Sequence, residues 1–501
     1  MLKQGLISLI ILAAFGCADV RRIDQQLSYN SGSCGCNECP DKLTEGEATG
    51  SDDTEAITYW PQQIGTTESD LAYSIFVDPS DNIFITGNTD GNLLDHTNNG
   101  SYDIFLIKFT ENGSISSSKL IGAKPYYNID GMGNTNRIVP LDRGNGLFVN
   151  SSGNIYLTGF TSGYLSGPTG KILNVPGQTY TTWGSTFRIG YTHTYDGFII
   201  GMDKNLDQVW AHQTNEISNC CGNIQKMSDN TIDRLGNIYV VGETNVNDFD
   251  GNIRDNAQFG GDNNRDIILV KYDSDGQKQW SARTGTILDD AAGSIIVDSL
   301  GNIYICWFGS KDGYITKYDS EGNQLRFTRI MTPYINGSYG AESFLDIKID
   351  NEDNIYVVGG TTGWLDGNRN LGGEDIIIIK LNSNLSKLWS RQLGSSSNDS
   401  AISLAVNNNE IFILGSSDGN FDGKQQIGEK DIVLIKFNSD GEKQWVRQLG
   451  TDKYDSPQDI AVNSRGDLFI TGSTRGAFED KNSEGKDDIF VIKYDSDGNQ
   501  L

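Results

Sequence analysis

Histidine is almost absent from this chain: His96, His193 and His212 are the only three in 501 residues. None stands at a spacing that would build a metal centre or a nucleophile–base–acid triad. No glycine-rich phosphate loop or dinucleotide fingerprint occurs, which argues against nucleotide-dependent chemistry. Basic residues are outnumbered, 39 Lys and Arg against 66 Asp and Glu, for a formal net charge of −27. A surface of that sign repels nucleic acid and anionic headgroups, so neither is expected as a partner; divalent cations or basic protein patches suit it better. After residue 16 no long hydrophobic run follows, so no later membrane span is expected.

The one apolar run, residues 5–16 (GLISLIILAAFG), follows Lys3 and has the length of a signal-peptide core. It ends in Ala14-Phe15-Gly16-Cys17, a small residue directly before a cysteine. This resembles the bacterial lipobox, although Phe15 and Ala14 depart from its usual residues. The resemblance implies that Cys17 carries lipid and becomes the mature N-terminus, and that lipid is the only membrane anchor. A bacterial envelope location, in the outer membrane, is expected. Residues 17–55 lack apolar periodicity and are rich in Ser, Gly, Asp and Glu, so they read as a flexible tether. The remaining cysteines are Cys34, Cys36, Cys39, Cys220, Cys221 and Cys306. Export would permit disulfides, but sequence alone does not assign pairs. The CxCxxC in the tether, without a histidine nearby, makes a poor zinc site.

From residue 57 the chain repeats four strand-length segments, a to d. Segment b is the clearest: IFITG after Asn82, IYLTG after Asn154, IYVVG after Asn237 and Asn354, IYICW after Asn302, IFILG after Glu410 and LFITG after Asp467. Segment a precedes it and ends at Asp78, Asn150, Asp233, Asp298, Asp350, Asn407 or Asn463. Segment c opens at an aspartate: Asp103, Asp196, Asp266, Asp312, Asp375, Asp431 and Asp488. Segment d is plainest after Trp280, Trp389 and Trp445. Gly-Asn and Asp-Gly turns between a and b, and between c and d, are hairpin signals. Each unit is therefore a four-stranded antiparallel meander. Segments b and c are continuously apolar, which implies sheets covered on both faces. Sheets stacked around an axis achieve that, so the fold expected is an all-β, seven-bladed propeller.

Segments a, b and c occur seven times, but d occurs only six times after the first c. The seventh d is at the other end, where Trp60-Pro-Gln-Gln-Ile-Gly65 keeps the Trp and Gly spacing. Residues 57–65 should therefore complete the C-terminal blade and remove the exposed edges that invite aggregation. The blades run approximately 66–122, 123–216, 217–286, 287–332, 333–395, 396–451 and 452–501 with 57–65.

The patterns D-x-x-x-S/D-I-x-V-D, G-N-I-Y-V-T-G-x-T, D-I-F-L-I-K-Y-D-S-D-G and W-x-R-Q-L-G resemble the SBBP repeat of bacterial seven-bladed propellers over roughly residues 57–501. The resemblance implies a fold found in envelope and secreted proteins, and transfers no activity and no catalytic residue. A propeller hosts many functions, so the site must decide.

In a meander the a–b and c–d turns share one face, and the b–c and d–a connections the other. The long insertions, 123–141, 161–195, 243–265 and 331–342, are all b–c or d–a. Long loops on a rigid scaffold commonly carry binding residues. Tyr164, Tyr180, Trp183, Phe187, Tyr191 and His193 crowd the 161–195 insertion, and Trp364 lies in a loop of the same face. These are the candidate ligand contacts, for a protein or glycan partner of a monomer. An envelope hydrolase or lyase using Asp and Glu is the alternative, and a structural scaffold a third reading. An enzyme should bring several carboxylates with raised pKa values into one pocket; a binding module should not. Asp273 with Asp275, and Asp495 with Asp497, open like calcium loops but lack the later ligands, so turn geometry explains them better and no cofactor is expected.

Overall fold

A computed structural model describes residues 60–129, 135–163, 165, 195–214, 224–245, 253–254, 264–332, 340–479 and 481–501. Tertiary contacts set residues 57–501 apart as one unit from residues 1–56. Within it, seven antiparallel meanders follow one another, each ordered a-b-c-d from one edge to the other. The a strands are Asp70–Val77, Asp142–Val149, Gln225–Ile232, Asp290–Val297, Glu342–Ile349, Asp399–Asn407 and Asp455–Val462. The blade at 224–284 gains an extra short strand, Ile253–Arg254, running parallel to the outer strand Lys278–Thr284. Part of the 243–265 insertion thus lies along the outer edge of its blade rather than on a face.

The turn signature has a direct cause. The aspartate ending strand a accepts backbone N–H bonds from residues two and four ahead, as Asp298 does from Leu300 and Asn302. The asparagine opening strand b returns its amide to the same carboxylate at 2.7 Å, and the tyrosine two further on donates its hydroxyl at 3.0 Å. The residue before that asparagine needs positive φ, met by Gly301 at 85° and by Asp353 at 60°. D-x-x-G-N-I-Y is therefore one hydrogen-bonded corner.

Strand b is buried along its whole length because neighbouring blades cover both faces. In Ile355–Thr361, Ile355 and Val357 pack with Tyr304 and Ile315 of the preceding blade. Tyr356 and Val358 pack with Ile411, Ile413 and Val433 of the following one. Period two persists, but both faces are apolar, so the sequence shows no alternation.

The ring closes on itself. The first residue of every a strand donates its N–H to the carbonyl just before strand c of the preceding blade, at 2.7–3.0 Å at all seven junctions. The seventh of these is Asp70 to Asp487. Gln62–Ile64 pairs antiparallel with Asp488–Tyr494, Gln63 lying opposite Phe490. Trp60 is buried between Phe109 and Phe469, ring centroids 5.8 and 5.7 Å away, and so joins the last blade to the first.

Candidate functional site

Seven a strands line the central channel, and each carries a bulge at the same place, after its third residue. A bulge re-aims the side chains that follow it. The residues it sets inward form one ring: Ser74, Gly146, Asp229, Ser294, Asp346, Ser403 and Asp459. All of them but Gly146 line a cavity of about 420 Å³ together with Tyr73, Phe76, Phe148 and Lys348.

Three carboxylates thus converge on one pocket, the arrangement set above as the mark of an enzyme. Their bonding points elsewhere. Asp459 accepts from Ser74 Oγ and Ile75 N of the next blade through Oδ2, and from Ile460 N through Oδ1, which also lies 2.7 Å from Ser403 Oγ. Asp346 Oδ2 accepts from Ser403 Oγ at 2.8 Å and Leu404 N at 2.9 Å. Asp229 Oδ2 accepts from Ser294 Oγ and Ile295 N. The other oxygens of Asp346 and Asp229 take the N–H of the following residue. Each aspartate is thus a clip to the blade ahead, satisfied at both oxygens.

Lys348 supplies the countercharge, its ammonium 2.6 Å from Asp346 Oδ1 and a third of its side chain open to the channel. Enclosure by itself would lower this ammonium's pKa; Asp346, Asp459 and Asp229 around it push it up instead. Burial raises Asp229 to about 6 against the pull of Lys348 and Ser294, and raises Asp459.

A second set of carboxylates fills the blade junctions. The first residue of strand a is acidic in every blade but the third, where Gln225 stands. Each is held by a Ser or Thr, as Asp455 is by Thr451 and Thr474. Each also feels the aspartate opening strand c of the preceding blade. Burial and that like charge raise Asp142 and Asp290 to about 7. These carboxylates are buried at the junctions.

The channel mouth on the insertion-bearing face is where the blades differ. The second residue of strand a is Leu71, Arg143, Lys226, Ala291, Ser343, Ser400 or Ser456 around the ring. The Arg143 guanidinium lies 3.6 Å from the Tyr73 ring centre and 5.9 Å from that of Phe160. The Lys226 ammonium lies 5.0 Å from Phe160 and 5.1 Å from Tyr195. Opposite Lys226 in the sheet, Glu243 is bound by both Nη1 contacts of Arg265, at 3.1 and 3.2 Å.

A family model described as "SBBP: Beta-propeller repeat" matches residues 60–95, 231–250 and 444–479. Each matched stretch contains the corner and strand b, and the first and third also contain strand a, in a ring of seven blades built on four-stranded meanders. This chain is a seven-bladed propeller that carries SBBP repeats in those three stretches. The SBBP propeller is 22% identical over 314 residues to the regulatory protein FlaEY of Caulobacter vibrioides, a match covering 54% of this chain but 31% of that protein's length. Among solved structures it is similar to the polysaccharide lyase Uly1 (11% identity, TM-score 0.43, 90% of this chain and 94% of that one). It is also similar to a catalytically inactive virginiamycin B lyase from Staphylococcus aureus (10% identity, TM-score 0.42, 86% and 98%). Likenesses at these scores assign no activity to the SBBP propeller.

Of the residues singled out from sequence, Trp364 is half-buried and precedes the turn Leu365–Gly367 in a b–c loop. Cys17, Tyr164, Tyr180, Trp183, Phe187, Tyr191 and His193 lie outside the described residues, as do Cys34, Cys36, Cys39, Cys220 and Cys221. Cys306 is a buried free thiol accepting the Ser294 N–H at 3.3 Å, with burial pushing its pKa up. At the two DSDG turns, Asp273 and Asp495 cap their own turns by accepting N–H bonds from residues two and four ahead. The lysine recurring in strand c staples blades: Lys271, Lys317, Lys380 and Lys436 each donate to a carbonyl in the next blade's c–d turn. Sequence reading recorded the S/D position of strand a as pattern without seeing the clip. Lys348, Arg143 and Lys226 carried no signal beyond departing from their neighbours in the repeat.

Proposed function

We propose that this SBBP propeller is a binding module, anchored at the bacterial envelope through lipid on Cys17. Its ligand, a protein or a glycan, docks on the face that bears the long b–c and d–a connections. The observation that carries this reading is the bonding of the channel: Asp229, Asp346 and Asp459 each have both oxygens engaged, one of them in a clip to the next blade. A general acid or base must instead reach a substrate proton. The insertion-bearing mouth, by contrast, breaks the repeat and varies from blade to blade, as a recognition surface on a rigid scaffold does.

The test replaces residues 162–194 by the short b–c connection 418–430 of the sixth blade. Parent and variant are screened on immobilised glycans and purified envelope proteins, with reducing-end release assayed in parallel. A ligand bound by the parent and lost by the graft is the expected result. Glycan cleavage by the parent, abolished by Asp229→Asn, would replace this reading with the hydrolase or lyase one.

A further inference from the structure

Arg143 is the odd residue of this molecule. In a chain of net charge −27, its guanidinium has no carboxylate partner among the described residues, and its Nε is buried without a hydrogen bond. It rests on the face of Tyr73 instead. Burial lowers its pKa, with only Tyr73 opposing. A desolvated cation lacking an acid is costly to keep, and nothing in the fold requires it. The same position is Leu71, Ala291 or serine in other blades, which close equally well.

Its neighbour in the next blade compounds the cost. Burial lowers the Lys226 ammonium, opposed by Glu243, and both Arg265 and Arg143 lower it further. Glu243 is shared with Arg265, which holds both its oxygens. Arg143, Lys226 and Arg265 therefore gather around Glu243, with Asp289 3.7 Å from Arg265 on the exposed outer side. Around the same rim stand three aromatic rings, Tyr73, Phe160 and Tyr195, the last two edge-to-face at 5.0 Å. Across the mouth stand Ser343, Ser400 and Ser456 in place of long side chains, with the Ser343 hydroxyl donated to Glu374 and that of Ser456 accepting from Gln458.

We propose that this mouth binds an acidic saccharide, its carboxylate taken by Arg143 and Lys226 and its sugar ring laid against the aromatic rim. The proposal rests on the binding-module reading above and names its ligand class. A carboxylate supplies the partner Arg143 lacks, through paired N–H donors that fit its geometry. The aromatic faces and serine hydroxyls match a ring that is apolar on its C–H faces and hydroxylated at its edge. A bare inorganic anion would use the cations alone.

The experiment titrates the full chain calorimetrically with a galacturonate trisaccharide and with sialyllactose. Their neutral counterparts, the methyl-esterified trisaccharide and lactose, run alongside, with sodium sulfate as competitor. At least one acidic sugar should bind ten-fold or more tightly than its neutral counterpart. Arg143→Met, which keeps the packing on Tyr73, should lose that ten-fold while its melting temperature holds or rises. Lys226→Met should lose part of it, and Lys204→Met, on an exposed turn, none. Equal affinity for acidic and neutral sugars, no binding of either acidic sugar at millimolar concentration, or unchanged binding by Arg143→Met would overturn the proposal. Displacement by sulfate at the sugar's own affinity would overturn its saccharide part. Each of those outcomes leaves the binding-module reading standing if the loop graft still abolishes another ligand, so the two failures are separable.

Discussion

Gln63 offers the sharpest test of how the ring is held shut. Its amide donates to Gly476 O at 3.0 Å and to Asp488 Oδ2 at 2.9 Å, and its oxygen accepts the Phe478 N–H at 3.0 Å. Gln392 makes the same three-bond clasp on Gly363, Asp375 and Leu365. Gln448 makes it on Gly419, Asp431 and Phe421. Gln63 reaches across more than four hundred residues of chain to do so; the other two clasp partners fewer than thirty residues away. Removing the side chain deletes two neutral bonds at about 1 kcal/mol each and one to a carboxylate at about 1.5–3 kcal/mol. The site is half-buried and water will restore part of this, so Gln63→Ala should cost roughly 2–4 kcal/mol. The assay is urea denaturation followed by tryptophan fluorescence, with Gln392→Ala and Gln448→Ala measured beside it. If residues 62–64 are a true outer strand of the last blade, the three variants should agree within about 1 kcal/mol. A Gln63→Ala loss under about 0.5 kcal/mol, with the other two above 2, would refute the closure argument.

Three further outcomes follow from the same geometry. Asp290 binds its proton more tightly folded than unfolded, so its contribution is complete below about pH 4 and is lost as the pH rises to about 7. Relative to Asp290→Asn, the wild type should therefore lose up to about 1.4 kcal/mol per pH unit across that window, measured by denaturant titration at pH 4, 5.5 and 7. Lys348→Met should remove the cation beside the channel carboxylates and raise the pKa values of Asp229 and Asp459 further; the variant's deficit should grow between pH 5 and 8, and a deficit independent of pH would contradict the ring's charge balance. Cys17→Ser should abolish incorporation of labelled palmitate and release the protein from membranes of the expressing cells, as followed by fractionation.

Much of the architecture was legible because each blade repeats its own chemistry. The Asp–Asn–Tyr corner, the aspartate of strand c and the Trp-to-Gly spacing of strand d are local contacts within a few residues or one hairpin, so pattern reports them directly. The unpaired Trp60 segment exposed the ring closure by simple absence of its partner elsewhere. The site was less legible. Whether a residue faces the channel depends on the bulge in strand a, and the bulge appears only when two strands are laid side by side. Asp229, Asp346 and Asp459 look in sequence like three more turn-rich acids.

Sequence alone settled the repeat, the seven four-stranded units and the acidic character, because those follow from side-chain chemistry and spacing along the chain. Tertiary structure alone decided which acids meet which serines, that one lysine stands among three carboxylates, and that Arg143 lacks an acid among the described residues. Those facts arise when seven similar strands are brought around one axis, where small departures from the repeat become neighbours across blades.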